Sequence, residues 1–163
     1  MAHTVQTTRV WSTDRTPVEV VSPVSAPERV ALHTSADPDA VGDGQHWTPT
    51  ELLAAALSGC LFHAALDVAR HSKVALRSWQ DRVVLTLDRT EGPTVRVVAA
   101  TVEVTVTGAP DTRPERLERI VHKAHSLCTV ASSLSVPVTL TVRVATRPDG
   151  FRQAGDTGDI ESR

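Results

Sequence analysis

Tyrosine is absent from this sequence, and the aromatic set is three tryptophans and two phenylalanines: Trp11, Trp47, Trp79, Phe62 and Phe151. That leaves little for stacking nucleic-acid bases, and no Lys/Arg stripe interleaves with it. Excess positive charge is missing as well. The 17 Lys and Arg stand against 19 Asp and Glu, a net charge of -2, which gives no general pull toward nucleic acid. Long apolar runs are lacking. The longest unbroken one covers residues 52–57, far short of the ~20 residues of a membrane span, and His63, Asp67 and Arg70 would be costly in lipid. The N-terminal "MAHTVQTTRVWSTDR" has no apolar core of a secretory signal. The expectation is a cytoplasmic protein with neither nucleic acid nor membrane as partner. Cysteine is scarce too: only Cys60 and Cys128. In a reducing compartment such a pair points to reduced, catalytic or metal-bound thiols rather than a structural staple. No phosphate-binding loop, dinucleotide fingerprint or Ser-His-Asp arrangement is found.

What is there reads as one domain. The 163 residues are enough for a real core. Short strands are predicted at 5–11, 18–21 and 29–34, separated by Thr/Pro and Ser/Pro breaks. A helix over 49–70 follows a polar loop; Thr48 suits its N-cap, Pro49 its first turn, and Glu51 completes a capping box. Segments 75–88 and 94–108 are rich in Val and Thr, with alternation at Val102, Val104 and Val106, and "DRTEGPT" between them marks an antiparallel hairpin. Residues 111–134 return to helix, with Leu117, Ile120, Val121, Ala124, Cys128 and Ala131 as a stripe at 3.6-residue spacing. A last strand covers 136–144. The domain therefore spans 1–145, and 146–163 is a polar tail expected to be disordered. The order implies an α+β fold, helices packed on antiparallel sheets.

The helix over 49–70 is apolar almost all round between 52 and 69, as for a helix buried on several sides. Ala54, Ala55, Ala56 and Gly59 would let another backbone come close, so a second copy of the chain is expected to cover part of it. Two readings of the cysteines stand side by side. Either both are small core hydrophobes, or they are a reactive pair in which a thiolate at Cys60 attacks a peroxide and Cys128 captures the sulfenic acid as a disulfide. A third arrangement uses His63 and His125. Each lies three residues from a cysteine on a helix face, so a Cys2His2 metal tetrahedron is conceivable.

"TPTELLAAALSGC" resembles the helix of the OsmC/Ohr family of thiol peroxidases, which opens on Pro-Glu and carries small residues before a helical cysteine. "KAHSLCTVASSL" is similar to the family's second motif, A-H-x-x-C-P-[VY]-S. The resemblance covers residues 4–145. It implies an α+β fold with a long buried central helix, an intertwined homodimer, and active sites near the subunit interface. It also implies a peroxidase acting on organic hydroperoxides in oxidative-stress defence, with no cofactor and a lipoyl-type dithiol as reductant. Cys60 would be the nucleophile, Cys128 the resolving thiol and Arg15 the activating cation, with Arg29 as competitor. Leu57, Leu61 and Phe62 would supply an apolar pocket, and His125 belongs to the second motif.

The sequence departs from the family at three positions. Thr50 stands where the peroxidases have the Glu that pairs with the activating Arg, and Thr129 and Ala131 replace the usual Pro and Ser. Glu51, one residue on, is nine residues from Cys60, which is about 900° of turn and about 14 Å of helix axis. It points away from the cysteine of its own helix. A non-catalytic member of the fold, binding a small apolar ligand at the dimer interface, is the rival reading.

Overall fold

The computed structural model describes residues 3–12, 47–89 and 94–145. The strands expected at 18–21 and 29–34, the tail, Arg15 and Arg29 lie outside the described residues. The elements are β1 (His3–Ser12), α1 (Pro49–His71), β2 (Leu76–Arg89), β3 (Val95–Gly108), α2 (Pro114–Leu127), α3 (Thr129–Ser133) and β4 (Val138–Val144).

These strands form one sheet in the order β1-β2-β3-β4. β1, β2 and β3 pair antiparallel, as the hairpin pattern predicts, with Val83 opposite Val102. β4 pairs parallel to β3, with Val102 opposite Leu140, so the sheet is mixed and the expectation of a purely antiparallel one is corrected. The reason is the connection: a parallel neighbour requires a crossover, and α2 and α3 supply it between β3 and β4. Alternation sets one face of the sheet inward. Trp79, Val83, Leu85, Leu87, Ala100, Val102, Val104 and Val106 are buried, whereas Arg82, Glu103, Thr141 and Arg143 are exposed on the other face. A register shift between Leu76 and Ser78 lets Ser78 and Trp79 both be buried, with the Ser78 hydroxyl 2.6 Å from that of Thr107.

Helix α1 starts where its chemistry says it should. Glu51 N–H donates to Thr48 Oγ1 at 3.1 Å, and Thr48 N–H donates to the Glu51 carboxylate at 2.7 Å, the reciprocal pair of a capping box. Its buried residues, Ala54, Leu57, Ser58, Leu61, Phe62, Ala65 and Ala69, fall on one arc at 100° per residue. Flanking positions including Leu53, Cys60, Ala64 and Leu66 are half-buried against the core, as is Val68 within the arc. Among the described residues α1 is the one helix long and apolar enough to cross a membrane by length and composition; here its buried arc packs on the sheet. Its C-terminus closes with Val74 N–H on Ala69 O at 2.9 Å and Lys73 at φ 53°, the left-handed position where glycine is the usual residue.

The second helical segment is not continuous. α2 ends at Leu127, Cys128 adopts an extended backbone at ψ 109°, and the short α3 begins at Thr129. The stripe Leu117, Ile120, Val121, Ala124 and Cys128 is buried as expected, whereas its last expected member, Ala131, lies past the break and is only half-buried.

Candidate functional site

Cys60 sits in mid-helix, about 60° outside the buried arc of α1, on the flank that carries Leu53 and Ala64. That flank meets α2 and α3. Cys128 is at the break between those two helices, where it is C-cap of one and N-cap of the other. The fold thus brings together sulfurs 68 residues apart in sequence. Both are free thiols, Cys60 half-buried and Cys128 fully buried.

Their environments differ in a way that matters chemically. Burial pushes the Cys128 thiol up to about 11, and the hydrogen bond and charge of Cys60 beside it push in the same direction. The backbone N–H groups of Ala131 and Val130 pull it partly back; Ala131 N–H donates to Cys128 Sγ at 3.5 Å. Cys128 therefore holds its proton at neutral pH beside Cys60, the half-buried member of the pair.

Beneath α1 lies a buried polar cluster that the reading of the sequence missed. Asp81, 1% exposed in mid-β2, accepts from Ser58 Oγ at 2.9 and 3.1 Å and from Trp79 Nε1 at 2.9 Å. Backbone register also sets Arg9 of β1 across from Asp81. Trp79 packs against Phe62 with ring centroids 5.6 Å apart. Ser58 is two residues from Cys60, so its bond to the sheet fixes the rotation of α1 that turns Cys60 toward Cys128. The signal was present in the alternation: Asp81 occupies the inward phase of Trp79, Val83 and Leu85, where a charge has no place unless it is bonded.

The other predicted residues are placed as follows. Leu57, Leu61 and Phe62 are at most 1% exposed, so they are core beneath the thiols rather than an open apolar wall. Glu51 is committed to the helix cap, and Thr50 beside it is half-buried. His125 is half-buried, with Nε2 buried and unpartnered among the described residues; burial, then the charge of His122, lowers its pKa. His63 is exposed. Among the described residues no group of three or more His, Cys, Asp or Glu gathers to hold a metal ion, so the Cys2His2 tetrahedron does not form.

A mixed sheet covered on one face by a long helix that presents one thiol to a second is a recognisable class of two-cysteine α+β protein. The profile of the family described as OsmC-like protein matches residues 42–143, and the chain belongs to that family. An OsmC-like protein of unknown function from Vibrio cholerae is 25% identical, with a TM-score of 0.60 over 67% of this chain and 75% of that one. An organic hydroperoxide resistance protein OsmC from Legionella pneumophila is 22% identical, with a TM-score of 0.58 over 70% of this chain and 80% of its own. A third, an organic hydroperoxide resistance protein from Elizabethkingia anophelis, is 19% identical with a TM-score of 0.57, over 68% and 78%. The last two show likeness of fold alone. No curated protein sequence matches the chain.

Proposed function

We propose that this chain is a cytoplasmic thiol-dependent peroxidase that reduces organic hydroperoxides, with Cys60 as nucleophile and Cys128 as resolving thiol. The observation that carries the reading is the asymmetric thiol pair: an accessible sulfur beside a fully buried one that keeps its proton. Solved relatives named as organic hydroperoxide resistance proteins agree with it.

In the first step the Cys60 thiolate attacks a peroxide oxygen. The S–O bond forms, the O–O bond breaks, and the alkoxide leaves as alcohol once protonated, so Cys60 becomes a sulfenic acid while the peroxide gains two electrons. Next the Cys128 thiol gives up its proton and its sulfur attacks Cys60. The disulfide forms, and the departing hydroxide takes that proton to become water. A dithiol of lipoyl type then reduces the disulfide and is itself oxidised. By the family resemblance the activating cation is Arg15, with Arg29 as its competitor. A partner subunit closing over the half-buried flank of α1 completes the pocket for the alkyl group.

The test is thiol counting and mass spectrometry after one equivalent of cumene hydroperoxide. Two thiols per chain are expected to disappear into a Cys60–Cys128 disulfide. Cys60→Ser abolishes this and slows peroxide consumption by about a thousandfold or more, while Cys128→Ser leaves a Cys60 sulfenic acid that dimedone traps. Thiols untouched by the peroxide refute the reading.

One observation favours a second reading, a non-catalytic protein that binds a small apolar ligand. The acid at the start of α1, Glu51, is engaged in the cap at 2.7 Å and Thr50 carries no charge. A measured Cys60 pKa at or above the free-thiol value of about 8.5 decides for this alternative.

A further inference from the structure

At the end of α2 remote from the thiols, the exposed side chains of Lys73, Arg113, Arg116 and Arg119 wall a cavity of about 570 Å³, with Asp111 as the single acid among the described residues that line it. A smaller cavity of about 350 Å³ shares Arg116 and Arg119 and adds Lys123. Along the axis Arg119 is about 14 Å and Arg113 about 22 Å from Cys128, so the place is separate from the redox pair. The geometry points to a binding site here for a small, multiply charged anion of the phosphate type.

Among the described residues four cations face one carboxylate there, in a chain whose total charge is -2. Among the described residues none of the four is in an ion pair; the salt bridges there are Arg70–Asp67 and Arg82–Glu103. Like charges in excess around one hollow repel each other, and an anion reduces that repulsion. The guanidinium of Arg116 is held at the wall by donating to Ser72 O at 2.6 Å, and Arg119 stands one turn further along the same face. Guanidinium forks suit phosphate oxygens in pairs. Lys73 reinforces the case, because it occupies a left-handed backbone position at φ 53° where glycine would be less strained. The volume lies within the usual range for small-ligand sites. Among the described residues no aromatic side chain lines either cavity, so the recognition offered there is of phosphate groups and not of a stacked base. A sequence motif could not have revealed the site, because Lys73 and the arginines of α2 come from opposite ends of the β2–β3 hairpin.

Inorganic pyrophosphate is the probe, titrated calorimetrically into the full chain at an ionic strength of about 50 mM. Saturable binding of one anion per chain is expected, with a rise in Tm that potassium chloride at matched ionic strength does not give. Arg119→Gln and Lys73→Gly should each weaken binding about tenfold, as for loss of one charged hydrogen-bond partner. Lys73→Gly relieves the backbone while removing the charge, so its lost affinity cannot be blamed on misfolding. Absence of saturable binding, an affinity unchanged in both variants, or a Tm rise matched by potassium chloride overturns the site. Tighter binding of citrate than of pyrophosphate overturns the phosphate assignment.

Discussion

Asp81 shows how much one side chain can organise. A carboxylate 1% exposed within a packed sheet face is tolerable only because donors converge on it. Ser58 ties it to α1 and Trp79 ties it to the aromatic contact with Phe62. Removing a donor to a buried charged group costs about 2 kcal/mol, so Ser58→Ala should lower stability by that much in urea denaturation. An unchanged midpoint would show that the bond does not hold the helix. His125 gives a second test at this scale. Its folded-state pKa is lowered, by burial first, whereas the unfolded chain takes up a proton near the ordinary value of about 6.5. The resulting stability is complete above that pH and is lost as pH falls below it through the lowered folded value. Between pH about 7.5 and about 5, the urea midpoint of the native protein is expected to fall further than that of His125→Gln.

Among the elements, what was legible in the sequence is what is encoded locally. The cap of α1 is a pattern of neighbours, Thr48, Pro49 and Glu51, and it forms as written. Thr48→Ala should destabilise the protein by about 1 kcal/mol, read as a lower melting temperature by circular dichroism; an unaltered melt would contradict the capping argument. The β2–β3 hairpin was legible from alternation. Two features were not. The 3.6-residue stripe runs unbroken through Cys128, so nothing in periodicity marks the break between α2 and α3. The parallel direction of β4 depends on how a crossover returns to the sheet, and strand patterns carry no direction. Of the site, Cys60 was legible as a position on a helix, whereas Cys128 was legible as a candidate thiol but not as the residue at a helix break. Asp81 was overlooked because its neighbours in sequence, Gln80 and Arg82, make it look like part of a polar surface run.

At the scale of the whole molecule, the chain leaves part of its central helix uncovered. Ala56 and His63 are exposed and Leu52, Ala55 and Gly59 are only half-buried, although most of this stretch is apolar. β4 likewise has only half-buried apolar residues, Val138, Leu140, Val142 and Val144. Such surface is what an interface with a second copy would cover. Light scattering is expected to give twice the mass of one chain, and Ala56→Arg should shift the equilibrium toward monomer. A native protein that stays monomeric at micromolar concentration would contradict the arrangement.

One consequence follows from where Cys128 sits. Its sulfur is also the acceptor that starts α3, through Ala131 N–H. If the proposed disulfide with Cys60 forms, it would draw the sulfur from that duty, and the first turn beyond it would then loosen on oxidation and tighten on reduction. Electron transfer at the pair would thereby be written into the shape of the chain, where a reducing partner could read which molecules await its service.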